Sequence, residues 1–256
     1  MDIHVLGAHN CESKASKFVS LLVDDVLVLD AGGLTSALSF KAQARIQAIL
    51  LTHHHYDHIR DVPAIAMNFF VRGETLNIFS TKSVQDVITN HLLNDTLYPR
   101  FLEKPPWKPT VKFTVIKPYD TEQVEGYNIS ACPVNHSDSA VGFEVVSPDG
   151  RSLFYTGDTG SGLAGCWKYV SPQLLIIEVT VPNSYEEFAT ESKHLTPDLL
   201  KRELVSFRQM KGYLPRVLAV HMNPDFQKEI EGELEEVARD LEAEITVADE
   251  GMRIHL

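Results

Sequence analysis

"LLTHHHYDHIRD", residues 50–61, sets four histidines and two aspartates in twelve positions, directly after an apolar run. In extended chain, residues two apart point the same way. His53 and His55 can therefore aim at one point beyond the strand "AILLT", while Asp57 and His58 follow at the turn and can face a second point nearby. Imidazole nitrogen and carboxylate oxygen suit zinc, manganese or iron. A solvated polar loop is the plainer reading, and a lone histidine would deserve it. The spacing points instead to a metal site, or to two adjacent ones.

The same punctuation recurs along the chain. "VLVLDAGG" ends an apolar strand in Asp30, "ACPVNHSD" leads to His136, "LFYTGD" places Asp158 after a strand and a glycine, and "VLAVH" ends in His221. Each alone could be a turn residue or a helix cap. Four of them added to the HxHxDH cluster are better explained by one centre fed from many strand ends.

The rest of the chain supplies a frame. Short apolar runs alternate with helical patterns: "TSALSFKAQARIQ" predicts a helix capped by Thr35, and "DVPAIAMNFFVRG" one starting at Asp61 and stopping near Gly73. "TPDLLKRELVSF" predicts a third, capped by Thr196 with Pro197 in first position, and residues 228–244 a fourth with an apolar stripe. Strands running into helices in each half, with no linker, predict one compact α/β domain over residues 1–256. Residues 94–110, rich in proline and aromatics without a period, predict a loop in which Tyr98 and Trp107 either form a substrate lid or simply pack.

Composition excludes several classes. With a net charge of −12 and no dense basic run, nucleic acid is not an expected partner. Cys11, Cys132 and Cys166 are far apart and form no CxxC pair, which suits a reducing compartment. The N-terminus does not read as a signal peptide, and no segment approaches the roughly 20 apolar residues of a membrane span. A cytoplasmic protein is expected, with a homodimer as one form it could take.

Taken in order, "LDAGG", "THHHYDH", "PVNH", "TGD" and "LAVH" resemble the metallo-β-lactamase superfamily across nearly the whole chain. The resemblance implies an αββα four-layer sandwich with two divalent metal ions at one edge, zinc first, with manganese or iron as alternatives. By matching positions, His53, His55 and His136 would hold the first metal, and Asp57, His58 and His221 the second. Asp158 would bridge them, and Asp30 would support the histidine loop. His54 falls at a variable position and takes no ligand role.

Two looser matches, "KHLTP" within residues 176–200 and "HLLNDTLYPRF" at residues 91–101, are similar to class II cyclic-nucleotide phosphodiesterases, and ribonuclease Z belongs to the same branch. They imply a hydrolase cleaving a small phosphodiester such as a cyclic nucleotide. Two cations about 3.5–4 Å apart can clamp such a diester and acidify a water. Asp57 would orient or deprotonate the nucleophile, and His194 would serve the leaving group. The alternatives are a ribonuclease Z-like tRNA 3′ endonuclease, a metal-binding sensor without turnover, and a thioester or ester hydrolase of the same fold.

Overall fold

The computed structural model describes residues 1–256. It holds two seven-stranded sheets. The first contains β1 (Asp2–Gly7), β2 (Ser20–Val23), β3 (Leu27–Leu29), β4 (Ala48–Leu50), β5 (Leu76–Ser80) and β6 (Val111–Val115). The second contains β7 (Thr121–Val124), β8 (Tyr127–Pro133), β9 (Val141–Val146), β10 (Ser152–Tyr155), β11 (Leu174–Glu178), β12 (Arg216–Val220) and β13 (Ile245–Val247). The last strand, β14 (Arg253–His255), returns to the first sheet and pairs antiparallel with β1.

The central strands, such as β2, β3, β4, β10 and β11, read as continuous apolar runs because both of their faces are buried. Alternation then assigns each side chain to a layer. In β4, Ala48 and Leu50 point into the space between the sheets, while Ile49 points to the outside of the first sheet. In β12, Leu218 and Val220 point inward and Val217 and Ala219 outward. Nine helices occupy the outer layers: α1 (Leu34–Ala37), α2 (Phe40–Gln43), α3 (Tyr56–Ile59), α4 (Val62–Arg72), α5 (Lys82–Val87), α6 (Ala164–Trp167), α7 (Glu186–Ser192), α8 (Pro197–Lys211) and α9 (Gln227–Leu241). Leu34, Val62, Ile65, Phe69 and Val84 cover the first sheet. Trp167, Leu200, Leu204, Phe207, Ile230 and Leu234 cover the second. Helix, sheet, sheet, helix is the αββα order expected, and it is the metallo-β-lactamase fold.

Local chemistry sets the helix ends. Thr196 caps α8 by accepting from the Leu199 amide, with Pro197 in the first turn and Gly212 left-handed at the end. Asp61 precedes α4, whose stop is the left-handed Gly73. The helix expected from Thr35 is instead two single turns, α1 and α2. Leu38 between them is extended, and the Ser39 side chain caps the second by accepting from the Ala42 amide. The Thr35 amide donates to Asp61 Oδ2 at 2.6 Å rather than opening a helix.

The chain order carries site residues to one rim. β3, β4, β5 and β6 are mutually parallel, as are β10, β11 and β12. β8 shares the direction of β10, because both run antiparallel to β9. The outer layer on the second sheet lies away from that rim, so it can be tested separately. Phe207 is fully buried and meets Trp167 edge-on with ring centres 5.1 Å apart. Phe207→Ala is expected to lower unfolding free energy by about 3–5 kcal/mol, read from urea unfolding, while bound metal per folded chain stays unchanged.

Candidate metal centre

The loops that leave β4, β8, β10 and β12 bring seven side chains together. His53, His55, His136 and Asp158 form one quartet, and Asp57, His58, Asp158 and His221 a second. Within each quartet the ligand atoms all lie within 4.8 Å of one another, and Asp158 belongs to both. Asp158 Oδ1 is 3.1 Å from His58 Nε2, and its Oδ2 is 3.7 Å from His53 Nε2 and 3.3 Å from His221 Nε2. Asp57 Oδ2 is 3.3 Å from His221 Nε2 and 3.5 Å from His58 Nε2. All the positions expected as ligands converge, and His54 belongs to neither quartet.

Hydrogen bonds behind the site fix the tautomers. The Thr52 hydroxyl donates to Asp30 Oδ2 at 2.8 Å, so its oxygen accepts from His53 Nδ1 at 3.0 Å. His58 Nδ1 donates to Asp30 Oδ2 at 2.7 Å. His136 Nδ1 donates to the Lys193 carbonyl at 3.0 Å. The Thr180 hydroxyl donates to Glu178 Oε2 at 2.6 Å and therefore accepts from His221 Nδ1 at 2.9 Å. Four imidazoles thus keep a proton at Nδ1 and turn Nε2 inward, the arrangement ligating histidines require.

Those inward atoms lack partners. His53 Nε2, His58 Nε2 and Asp158 Oδ1 are buried with no hydrogen bond, a costly state unless a cation faces them. His136 Nε2 and His55 Nδ1 stand 3.0 Å apart. With His136 protonated at Nδ1, His55 Nδ1–H can donate to its Nε2, and the same two nitrogens are free to share a cation once that proton is lost. Burial first, then neighbouring His58, holds His53 well below the usual imidazole range, and burial with His136 lowers His55. The neutral imidazole is the ligating form. The donor set therefore fits two divalent metals.

Backbone shape is part of the site. Asp30 and His221 both adopt left-handed φ values, 55° and 67°, a conformation costing about 1–3 kcal/mol in a residue other than glycine. Gly32 must be glycine, because a Cβ there would meet the Asp57 carbonyl at 2.1 Å.

His194 stands at the edge of the centre. Its ring stacks on His221 with centroids 5.4 Å apart and lies 4.9 Å from that of His136. Its Nδ1 is 2.6 Å from Oε1 of fully buried Glu178. Burial opposes the His194 cation, but the Glu178 carboxylate outweighs it and lifts the imidazole to about 9. The sequence reading gives Glu178 no role. Its signal was the one already used elsewhere, a lone charge closing the apolar strand "LLIIE". Lys193 opens the "KHLTP" stretch but is given no role there, yet its Nζ donates to the His136 carbonyl while its own carbonyl accepts from His136 Nδ1.

His9 is buried beside the His221 segment, where its backbone pairs with Met222, but its ring is engaged elsewhere: Nδ1 donates to Glu250 Oε1 at 2.7 Å and Nε2 to Gln227 Oε1 at 3.0 Å. Tyr98 packs on the outer core of the first sheet and Trp107 is 86% exposed. Neither belongs to the converging set.

The beta-lactamase superfamily domain matches residues 25–248, and the chain belongs to that family, whose members are metal-dependent hydrolases. Among solved structures, unliganded yeast PDE1 superposes with a TM-score of 0.85 at 16% identity, covering 100% of this chain and 99% of that one. The short form of human tRNase Z superposes with a TM-score of 0.71 at 20% identity, covering 100% and 99%. Hydroxyacylglutathione hydrolase of Stenotrophomonas maltophilia is 41% identical over 59 residues, 22% of this chain and 23% of that protein. The chain thus spans about a quarter of the length of that curated relative.

Two outcomes follow from the hydrogen bonds. Asp30→Asn puts an amide where four hydrogen bonds are donated, and metal affinity is expected to fall about 10–100-fold in chelator competition. The His9–Glu250 pair gives a pH signature. Burial lowers His9, but its bonds to Glu250 and Gln227 raise it overall. Its stabilisation is therefore full below about 6.5 and lost as pH rises through the raised value. The loss of melting temperature in Glu250→Gln is expected to be larger near pH 6 than above the His9 pKa.

Proposed function

We propose that the protein is a metal-dependent phosphodiesterase cleaving a small phosphodiester, with a cyclic nucleotide as the first candidate. His53, His55 and His136 would hold one divalent cation and Asp57, His58 and His221 another, with Asp158 shared. Zinc suits this histidine-rich donor set, and manganese or iron are alternatives. When bound, the two cations supply positive charge to an anionic diester and make a water acidic enough to attack at neutral pH.

The chain's own groups supply the rest. Asp57 is the most exposed of the carboxylates, with 24% of its side chain open, and it can orient the attacking water. With Nδ1 donating to Glu178, the carboxylate stabilises the His194 cation, and it is this cation, lifted to about 9, that carries a second proton at Nε2. It can give that proton to the departing alkoxide while the phosphorus–oxygen bond breaks, leaving a phosphomonoester and an alcohol.

The Glu178–His194 pair beside the double quartet is what supports a phosphodiester over a thioester. A thiolate, with a pKa near 8.5, leaves without a proton, whereas an alkoxide needs one. The end-to-end superposition with yeast PDE1 supports the same choice. A tRNA substrate is opposed by the −12 charge. The short match to hydroxyacylglutathione hydrolase favours a thioester as the second reading.

The test is metal analysis with a substrate panel of cyclic nucleotides, bis-p-nitrophenyl phosphate and an acylglutathione. His194→Gln is expected to keep its metal and lose about 10²–10⁴-fold in kcat on an alkyl phosphodiester. Turnover of the acylglutathione alone, indifferent to His194→Gln, would transfer the assignment to the thioester.

A further inference from the structure

A second feature lies on the same rim, one strand along. A cleft of about 350 Å³ opens beyond the ends of β5 and β6, between Thr81, residues 115–118 and residues 138–141. That volume is in the range of small-molecule sites. Because β4, β5 and β6 are parallel, the cleft and the metal centre open at the same edge of the first sheet. They also share a loop. Residues 134–140 carry His136 into the centre and, two residues on, about 7 Å of chain at most, Asp138 and Ser139 into the cleft. Val141, on the cleft wall, donates its amide to the carbonyl of Thr52, next to His53.

The lining selects a chemistry. Val115, Pro118 and Val141 give apolar walls. Thr81 is 8% exposed, and its hydroxyl has no partner. It precedes α5 yet its side chain caps nothing, so the hydroxyl is left for something else. The Ser139 hydroxyl is likewise buried without a partner. Lys117 adds donors and Asp138 adds acceptors, whereas Lys82 is engaged by Asp86. An aliphatic occupant would leave both hydroxyls unsatisfied, and a second phosphate, which only accepts, would face the Asp138 carboxylate. A flat heterocycle bearing donors and acceptors satisfies walls and polar groups together.

Granted the phosphodiesterase reading on which it rests, we infer that this cleft holds the nucleobase of the substrate and sets specificity, while the phosphate lies at the metal centre. Thr81 and Ser139 are its hydrogen-bonding residues, and Val115 forms its outer wall.

The test uses the full chain loaded with zinc and the variants Thr81→Val, Ser139→Ala and Val115→Trp. The readout is kcat/KM for cyclic AMP and cyclic GMP divided by that for bis-p-nitrophenyl phosphate, which carries no base. Each hydroxyl variant is expected to lower this ratio about tenfold, chiefly through KM, and the tryptophan, which fills the cleft, further. Adenosine, guanosine, cytidine and uridine, titrated singly, are expected to shift the amide resonances of Ser139, Ala140 and Val141, and to lose that effect in Val115→Trp. Ratios within twofold of wild type in all three variants, with cyclic nucleotides still hydrolysed, would overturn the cleft and leave the phosphodiesterase standing. Cleft amides that respond to a nucleoside in a protein hydrolysing no phosphodiester would keep the heterocycle site and remove the phosphodiesterase. No response to any nucleoside would end the inference.

Discussion

A single buried carboxylate ties this structure together. Asp30, fully buried, accepts from the Thr52 amide at 2.8 Å, the Thr52 hydroxyl at 2.8 Å, His58 Nδ1 at 2.7 Å and the Tyr155 hydroxyl at 2.8 Å. Three of these donors flank β4 in the first sheet, and Tyr155 belongs to β10 in the second. The carboxylate thus joins the sheets at the rim and orients imidazoles at once. An ionised group so deep is tolerable only because it is fully hydrogen-bonded. Burial, and then the Asp30 charge, push the Tyr155 phenol well above its usual range, so it remains a donor.

Topology makes that arrangement useful. In open α/β sheets, ligands gather beyond the carboxyl ends of parallel strands. Here Asp30 follows β3, the histidine cluster β4, His136 β8, Asp158 β10 and His221 β12, while Glu178 ends β11. Residues far apart in the chain meet because their strands point the same way. The rigid layers below leave the loops little freedom, which is how a site acquires precise geometry. No helix is long and apolar enough to cross a membrane.

Much of this was legible in the sequence, for a physical reason. Metal ligation admits few side chains, and a charge closing an apolar strand is conspicuous, so His53, His55, Asp57, His58, His136, Asp158 and His221 could be picked out before any fold was seen. Groups that act by holding another were not legible. Thr52, Thr180 and Lys193 are ordinary residues whose roles depend on what the fold sets beside them. Apolar spacing predicted a helix at residues 35–47, but Ser39 and the Asp61 carboxylate captured its amides locally. The cleft between Thr81 and Val141 is equally silent, since threonine, serine and valine there look like any strand end.

The centre also runs against the stability of its own fold. Three buried atoms without partners and two residues in left-handed backbone are each unfavourable for the chain alone. Local rules are broken where function requires it and compensated elsewhere. Here the compensation comes from the three apolar layers, and a cation held at the centre would add to it, since any ligand bound only by the native state stabilises it. Two divalent charges set against the carboxylates of Asp57 and Asp158 would leave the centre net positive. That local field acts at contact distance, whereas the −12 of the whole surface is screened beyond about 8–10 Å. A small anion that reaches a metal-loaded rim would therefore be attracted, whereas a long polyanion spread across the acidic surface would be repelled along most of its length.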